Sequence, residues 1–106
     1  MISIEIYRNS GGSITGFKST GHANTAPHGQ DIVCAGVAAL SQTAVLGLER
    51  HLRRGLHLDV ASGKLTAELV DAPDALTDAI LESMVLGLTE IAKIYPKSVR
   101  LIEHRR

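Results

Sequence analysis

Residues 2–8 alternate apolar and polar side chains, with Ile2, Ile4 and Ile6 on one face. A period of two marks a half-buried strand. Asn9-Ser10-Gly11-Gly12 is a turn cluster suited to a hairpin. Residues 13–21 predict the returning strand through Ile14, Thr15, Phe17 and Thr20, and Gly16 marks a bulge or a close backbone approach. The stretch Asn24-Thr25-Ala26-Pro27-His28-Gly29-Gln30 is polar and aperiodic, and reads as a loop. At Asp31 the pattern changes. Ile32, Val33, Ala35, Val37, Ala38, Ala39 and Leu40 are apolar nearly all round, as in a buried helix. Asp31 is a good N-cap, because its carboxylate accepts from amides of the first turn. The helix is expected to run to about Arg54, turning amphipathic through Glu49, Arg50, His51, Arg53 and Arg54. Basic residues suit its last turn, and Gly55 is the expected stop.

The second half repeats the outline. Leu56, Leu58 and Val60 alternate with His57 and Asp59, Ser62-Gly63 turns the chain, and Leu65, Ala67 and Leu69 alternate with Thr66 and Glu68. Asp71-Ala72-Pro73-Asp74 opens a second helix, with cap, proline and acid in its first turn. Its buried stripe reads Leu76, Ile80, Met84, Gly87, Leu88, Ile91 and Tyr95, and Pro96 ends it. In a final strand Val99, Leu101 and Glu103 face one way and Arg100, Ile102 and His104 the other. The order is ββαββαβ. It predicts an α+β fold with a mainly antiparallel sheet and two helices packed on one face. Small residues form stripes on both helices: Gly36, Thr43 and Gly47 on the first, Ala79, Ser83 and Gly87 on the second. Glycine in a helix costs about 1 kcal/mol against alanine, so close helix contact is expected, within one chain or between two.

Composition narrows the class. The 106 residues suit one domain, 1–106, with its own core. A single cysteine forms no internal disulfide, which fits a reducing compartment. Formal net charge is zero, so no global field favours nucleic acid or an anionic membrane. Aromatic content of 3% with no Trp argues against a base-stacking surface. The N-terminus lacks the pattern of a signal peptide, and the apolar stretch Ile32–Leu40 is short for a bilayer. A cytoplasmic protein is expected.

The one cysteine, Cys34, falls in the first turn behind Asp31, and His22 lies a loop upstream in Gly21-His22-Ala23. First-turn amides and the helix dipole favour negative charge on sulfur. A thiol there with an imidazole beside it is a nucleophile with a base. His22 can hold the thiolate and later protonate a leaving group, and amides of the same terminus can serve an oxyanion. Other readings stand beside this one. Cysteine is also common core packing, which would leave a non-catalytic binding module. His22, His28 and Cys34 are possible zinc ligands, but their spacing is not compact and only Asp31 offers a fourth. No metal or other cofactor is therefore assigned. Redox use lacks a resolving cysteine. His51 reads as a helix-surface residue and His57 as a strand residue.

Gly21-His22-Ala23, a polar loop, and Gly29-Gln30-Asp31-Ile32-Val33-Cys34-Ala35 running into a helix resemble the ribosomal-processing cysteine protease family, Prp. Eleven residues separate His22 from Cys34, and the element order extends the resemblance to essentially the whole chain. The resemblance implies a cytoplasmic, homodimeric endopeptidase; from charge and composition no nucleic-acid or membrane partner is expected. Its substrate would be the precursor of a large-subunit ribosomal protein, number twenty-seven, from which it removes a short N-terminal extension. It implies Cys34 as nucleophile, His22 as base and acid, and Asp31 as a supporting residue. Gly21 and Gly29 flank the loop expected to close over the peptide. One position departs from the family: Ala38 stands where members often carry serine, one turn beyond Cys34.

Overall fold

The computed structural model describes residues 1–22 and 31–106. Five strands form one sheet: β1 (Ile2–Arg8), β2 (Ile14–Thr20), β3 (Leu56–Ala61), β4 (Lys64–Leu69) and β5 (Val99–Arg105). Helix α1 (Ile32–Leu46) follows β2, and α2 (Ala75–Ile94) follows β4. The order across the sheet is β3-β4-β2-β1-β5. Three pairings are antiparallel and the β1–β5 pairing is parallel, so the sheet is mixed. The β1–β2 ladder slips between Tyr7 and Arg8, opposite Gly16. That glycine also meets a neighbour closely, since a Cβ there would lie 2.7 Å from the Ala67 carbonyl oxygen.

The alternation in β1 sends Ile2, Ile4 and Ile6 into a core shared with Phe17, Ala67 and Val99. Val33, Val37, Ala44 and Val45 of α1, and Leu81, Met84 and Leu88 of α2, complete it. The opposite sheet face is polar. There Tyr7 stacks on His104 at 5.2 Å, Arg106 lies 4.0 Å above the Tyr7 ring, and His104 Nε2 is 3.0 Å from Glu5 Oε1. The run Ile32–His51 is, by length and composition, long and apolar enough to cross a membrane. Here its buried side chains pack on the sheet.

The helix-to-helix contact lies within one chain. A Cβ at Gly36 would lie 3.3 Å from Ile91 Cδ1, one at Gly47 3.2 Å from Ile80 Cδ1, and one at Gly87 2.9 Å from Leu40 Cδ1. As the positions rise along α1 they fall along α2, so the helices run antiparallel. Each glycine receives a branched side chain of the other helix, which offsets its poor helix propensity.

Three expectations need correction. The first helix does not continue regularly to Arg54 with Gly55 as its stop. It passes at Gly47 into one π-helical turn, Gly47–His51, and Arg53 takes the left-handed conformation at φ 57°. Leu52 N–H reaches Gly47 O and Arg54 N–H reaches Leu48 O, which satisfies carbonyls of the widened turn. The second helix is capped by Asp74, whose Oδ1 accepts from Leu76 and Thr77 while Thr77 Oγ1 accepts from Asp74 N–H. Pro73 thus precedes the helix. The buried stripe of α2 holds at Met84 and Leu88 and is wider than expected, taking in Thr77, Leu81 and Val85, whereas Leu76 and Tyr95 are exposed. Tyr95 is the C-cap beyond the helical end, and Leu76 lies in the first turn.

Candidate active site

Asp31 has extended backbone, φ −80° and ψ 108°, and stops the helix from reaching further back. Its carboxylate is only 7% exposed and accepts through Oδ1 from Val33 N–H at 2.9 Å and Cys34 N–H at 3.1 Å. Its carbonyl accepts from Ala35 N–H at 3.0 Å. The expected cap is present, and it places the Cys34 side chain in the first turn of α1. It also uses the amides of Val33, Cys34 and Ala35, so the expectation that first-turn amides hold an oxyanion is corrected for those three donors.

His22 is brought to the same region by the end of β2. Gly21 adopts φ 94°, open to glycine at little cost. A side chain there would collide with the Met1 carbonyl. Gly21 N–H donates to Gly63 O at 2.8 Å, and the Met1 ammonium donates to His22 O at 2.6 Å. The backbone around His22 is therefore held from two sides, by the start of β1 and by the β3–β4 turn.

His22 and Cys34 line one cavity of about 570 Å³. It runs along α1 past Val37, Ala38, Ser41 and Val45 to Leu46 and Glu49, with Leu58, Val60 and Leu65 of the β3–β4 hairpin opposite. From Cys34 to Leu46 the helix rises about 18 Å at 1.5 Å per residue. That length accommodates about five residues of extended chain at ~3.3 Å each. The walls are mostly apolar, and Val60 is 66% exposed at the rim.

The sequence candidates divide clearly. Cys34 and His22 both line the cavity. Asp31 stands behind Cys34 as the cap and does not line the cavity. Gly21 serves the backbone turn that presents His22. His28 and Gly29, with the whole segment 23–30 expected to cover a peptide, lie outside the described residues. His51 and His57 are exposed and do not line the cavity. Ala38 does line it, presenting a methyl where the resembled family often has serine.

Two residues were missed from sequence. Ser41 lines the cavity with its hydroxyl buried and without a hydrogen-bond partner among the described residues. Its one sequence signal was a lone hydroxyl on the Cys34 face of an apolar helix, seven positions on. Gly63 was read only as a turn residue, yet its φ is 69° and its open face meets the His22 ring.

Comparison with known proteins agrees over the whole fold. The sequence model of the family described as "Cysteine protease Prp" matches residues 1–100. The chain is 33% identical over 104 residues to the ribosomal processing cysteine protease Prp of Staphylococcus aureus strain Mu50, covering 95% of this chain and 97% of that protein. It is 35% identical over 107 residues to the Bacillus subtilis strain 168 protein of the same name, covering 95% and 96%. It superposes with a TM-score of 0.92 on a crystal structure of the S. aureus Prp with a covalently linked product peptide, at 27% identity, covering 98% of this chain and 100% of that one.

Proposed function

The chain belongs to the Prp family of cysteine proteases, and from this premise we propose that it trims the precursor of large-subunit ribosomal protein number twenty-seven at a short N-terminal extension, with Cys34 and His22 as its catalytic dyad. One observation carries the assignment of the dyad. A cysteine protease needs a cysteine, this sequence has one, and Cys34 lines the same cavity as His22.

The peptide lies extended along α1, between the helix and the β3–β4 hairpin. His22 takes the Cys34 thiol proton, and Sγ attacks the scissile carbonyl carbon to form a tetrahedral adduct. The adduct collapses to a thioester as the C–N bond breaks, and His22 gives the departing amine its proton. His22 then takes a proton from water, whose oxygen attacks the thioester. Sulfur leaves and the acid product is released. Oxyanion donors come from outside the three amides bound by Asp31. The apolar walls favour apolar substrate side chains in the groove.

The enzyme pairs with a second copy of itself. Leu86 and Ile94 of α2, each 69% exposed, supply apolar surface that a partner would cover. It acts in the cytoplasm, where a lone thiol stays reduced.

The test is cleavage of the purified ribosomal precursor by wild type and by Cys34→Ala. Wild type is expected to release the extension and the variant to leave it intact. Equal cleavage by both, or none by either, overturns the assignment.

A further inference from the structure

We propose that Gly63, in the β3–β4 turn, is the positioning residue for the His22 imidazole: its missing side chain is the seat of the ring. The inference rests on the reading of Cys34 and His22 as the dyad. A Cβ at Gly63 would lie 2.8 Å from Nε2 of His22 and 3.4 Å from both Cδ2 and Cε1. The ring edge thus occupies the volume that any other residue would fill. Gly63 and His22 line the cavity together with Cys34.

The turn cannot retreat independently of the histidine. Gly63 O accepts from Gly21 N–H at 2.8 Å, so the turn is tied to the residue preceding His22. Lys64 pairs with Thr20 across β4 and β2, which fixes the same register one residue further on. A side chain added at Gly63 therefore meets an imidazole whose backbone is held, and the end of the ring must rotate away. Displacing a proton-transfer group by about 1 Å can lower turnover on the order of 100-fold.

Gly63 answers two demands that substitution can separate. Its φ of 69° is a left-handed turn conformation, which Asn also tolerates. Any Cβ, that of Asn included, would fall 2.8 Å from Nε2, so the ring must shift to admit it. Gly12 supplies a control, since it has φ 92° in the β1–β2 turn and, among the described residues, a Cβ there would meet only Arg105 Nη1, at 3.8 Å.

The experiment measures kcat and KM for precursor-peptide hydrolysis, the rate of Cys34 alkylation by iodoacetamide against pH, and thermal melting. The proteins are wild type, Gly63→Asn, Gly12→Ala, His22→Ala and the double variant Gly63→Asn/His22→Ala. Gly63→Asn is expected to lose kcat on the order of 100-fold with KM little changed, and to alter the pH profile of alkylation toward that of His22→Ala. Gly12→Ala is expected to keep the wild-type kcat. In the absence of the ring, Gly63→Asn should lower the melting temperature less than it does when His22 is present, a coupling that is readable even if the single variant folds poorly. Wild-type kcat in Gly63→Asn while His22→Ala is inactive overturns the inference alone. Equal melting losses with and without His22 also overturn it. Full hydrolysis by His22→Ala overturns the dyad itself.

Discussion

A single oxygen of Asp31 holds the backbone amide of Cys34 at 3.1 Å and that of Val33 at 2.9 Å. The carboxylate therefore fixes the first turn from which the thiol projects. Asp31→Ala should cost about 1 kcal/mol through loss of the cap. Asp31→Asn keeps an accepting oxygen and should cost only a few tenths of that, about 0.3 kcal/mol. Urea denaturation compares the variants, and peptide turnover per folded molecule shows whether the charge matters beyond the cap. Equal destabilisation by Ala and Asn would reject the cap as the source of the effect.

Ser41 buries a hydroxyl that finds no partner among the described residues. An unsatisfied buried polar group costs about 1–3 kcal/mol, and removing it can be neutral or stabilising. Ser41→Ala is expected to stabilise the fold by about 1 kcal/mol, with a small added gain from helix propensity. The measurement is the urea midpoint at constant slope. A lower midpoint would show that the hydroxyl is satisfied in solution.

Arg8 donates to both oxygens of Glu82 and of Glu103, and to Gly12 O, using all five of its N–H groups. The hydrogen bond from Arg8 holds the Glu103 carboxyl below its ordinary value of 4.5, and the one from Arg54 holds Asp74 below its ordinary 3.8. The unfolded chain then binds more protons than the folded one, so stability rises with pH through this range. The contribution is complete above the ordinary values and is lost as pH falls through the lower, folded ones. Glu103→Gln should destabilise the protein at pH 7, and the gap to wild type should close in acid. Denaturation at neutral pH and near pH ~3 reads this directly, and a gap of constant size would exclude the ion pair as its cause.

Leu40 fills the space left by Gly87, with Cδ1 2.9 Å from where a Cβ would stand. Gly87→Leu forces the helices apart and should cost about 1–3 kcal/mol. Leu40→Ala in the same chain vacates that space and should restore part of the loss. Strict additivity in the double-mutant cycle would show that the two positions do not share one volume.

Local pattern made much of this fold legible. Alternation at Ile2, Ile4 and Ile6 gave the strand and its buried face, and Asp31 gave the cap, because each depends on near neighbours in sequence. The helical path past Gly47 was not legible. The widened turn begins at Gly47, where Ile80 of the other helix packs against the glycine, a tertiary contact that propensity does not encode. Leu76 and Tyr95 fit the period of α2 but lie at its ends and are exposed. At the site, Cys34 could be chosen because it is the chain's one cysteine, and His22 because it stands a short loop upstream of it. Gly63 could not, since its role is an absence of atoms and the ring it accommodates comes from a different hairpin.

The parallel pairing of β1 with β5, Ile2 opposite Val99 through Arg8 opposite Arg105, bears on when the enzyme comes into being. A nascent chain emerges with its N-terminal segment first, and β1 then waits with one edge bare until the chain through β5 has been made. Joining strands so distant along the chain is slow on topological grounds. Proteolytic competence therefore follows completion of β5, and a product of interrupted translation ending before Val99 would carry an isoleucine-rich open edge prone to pair with other chains.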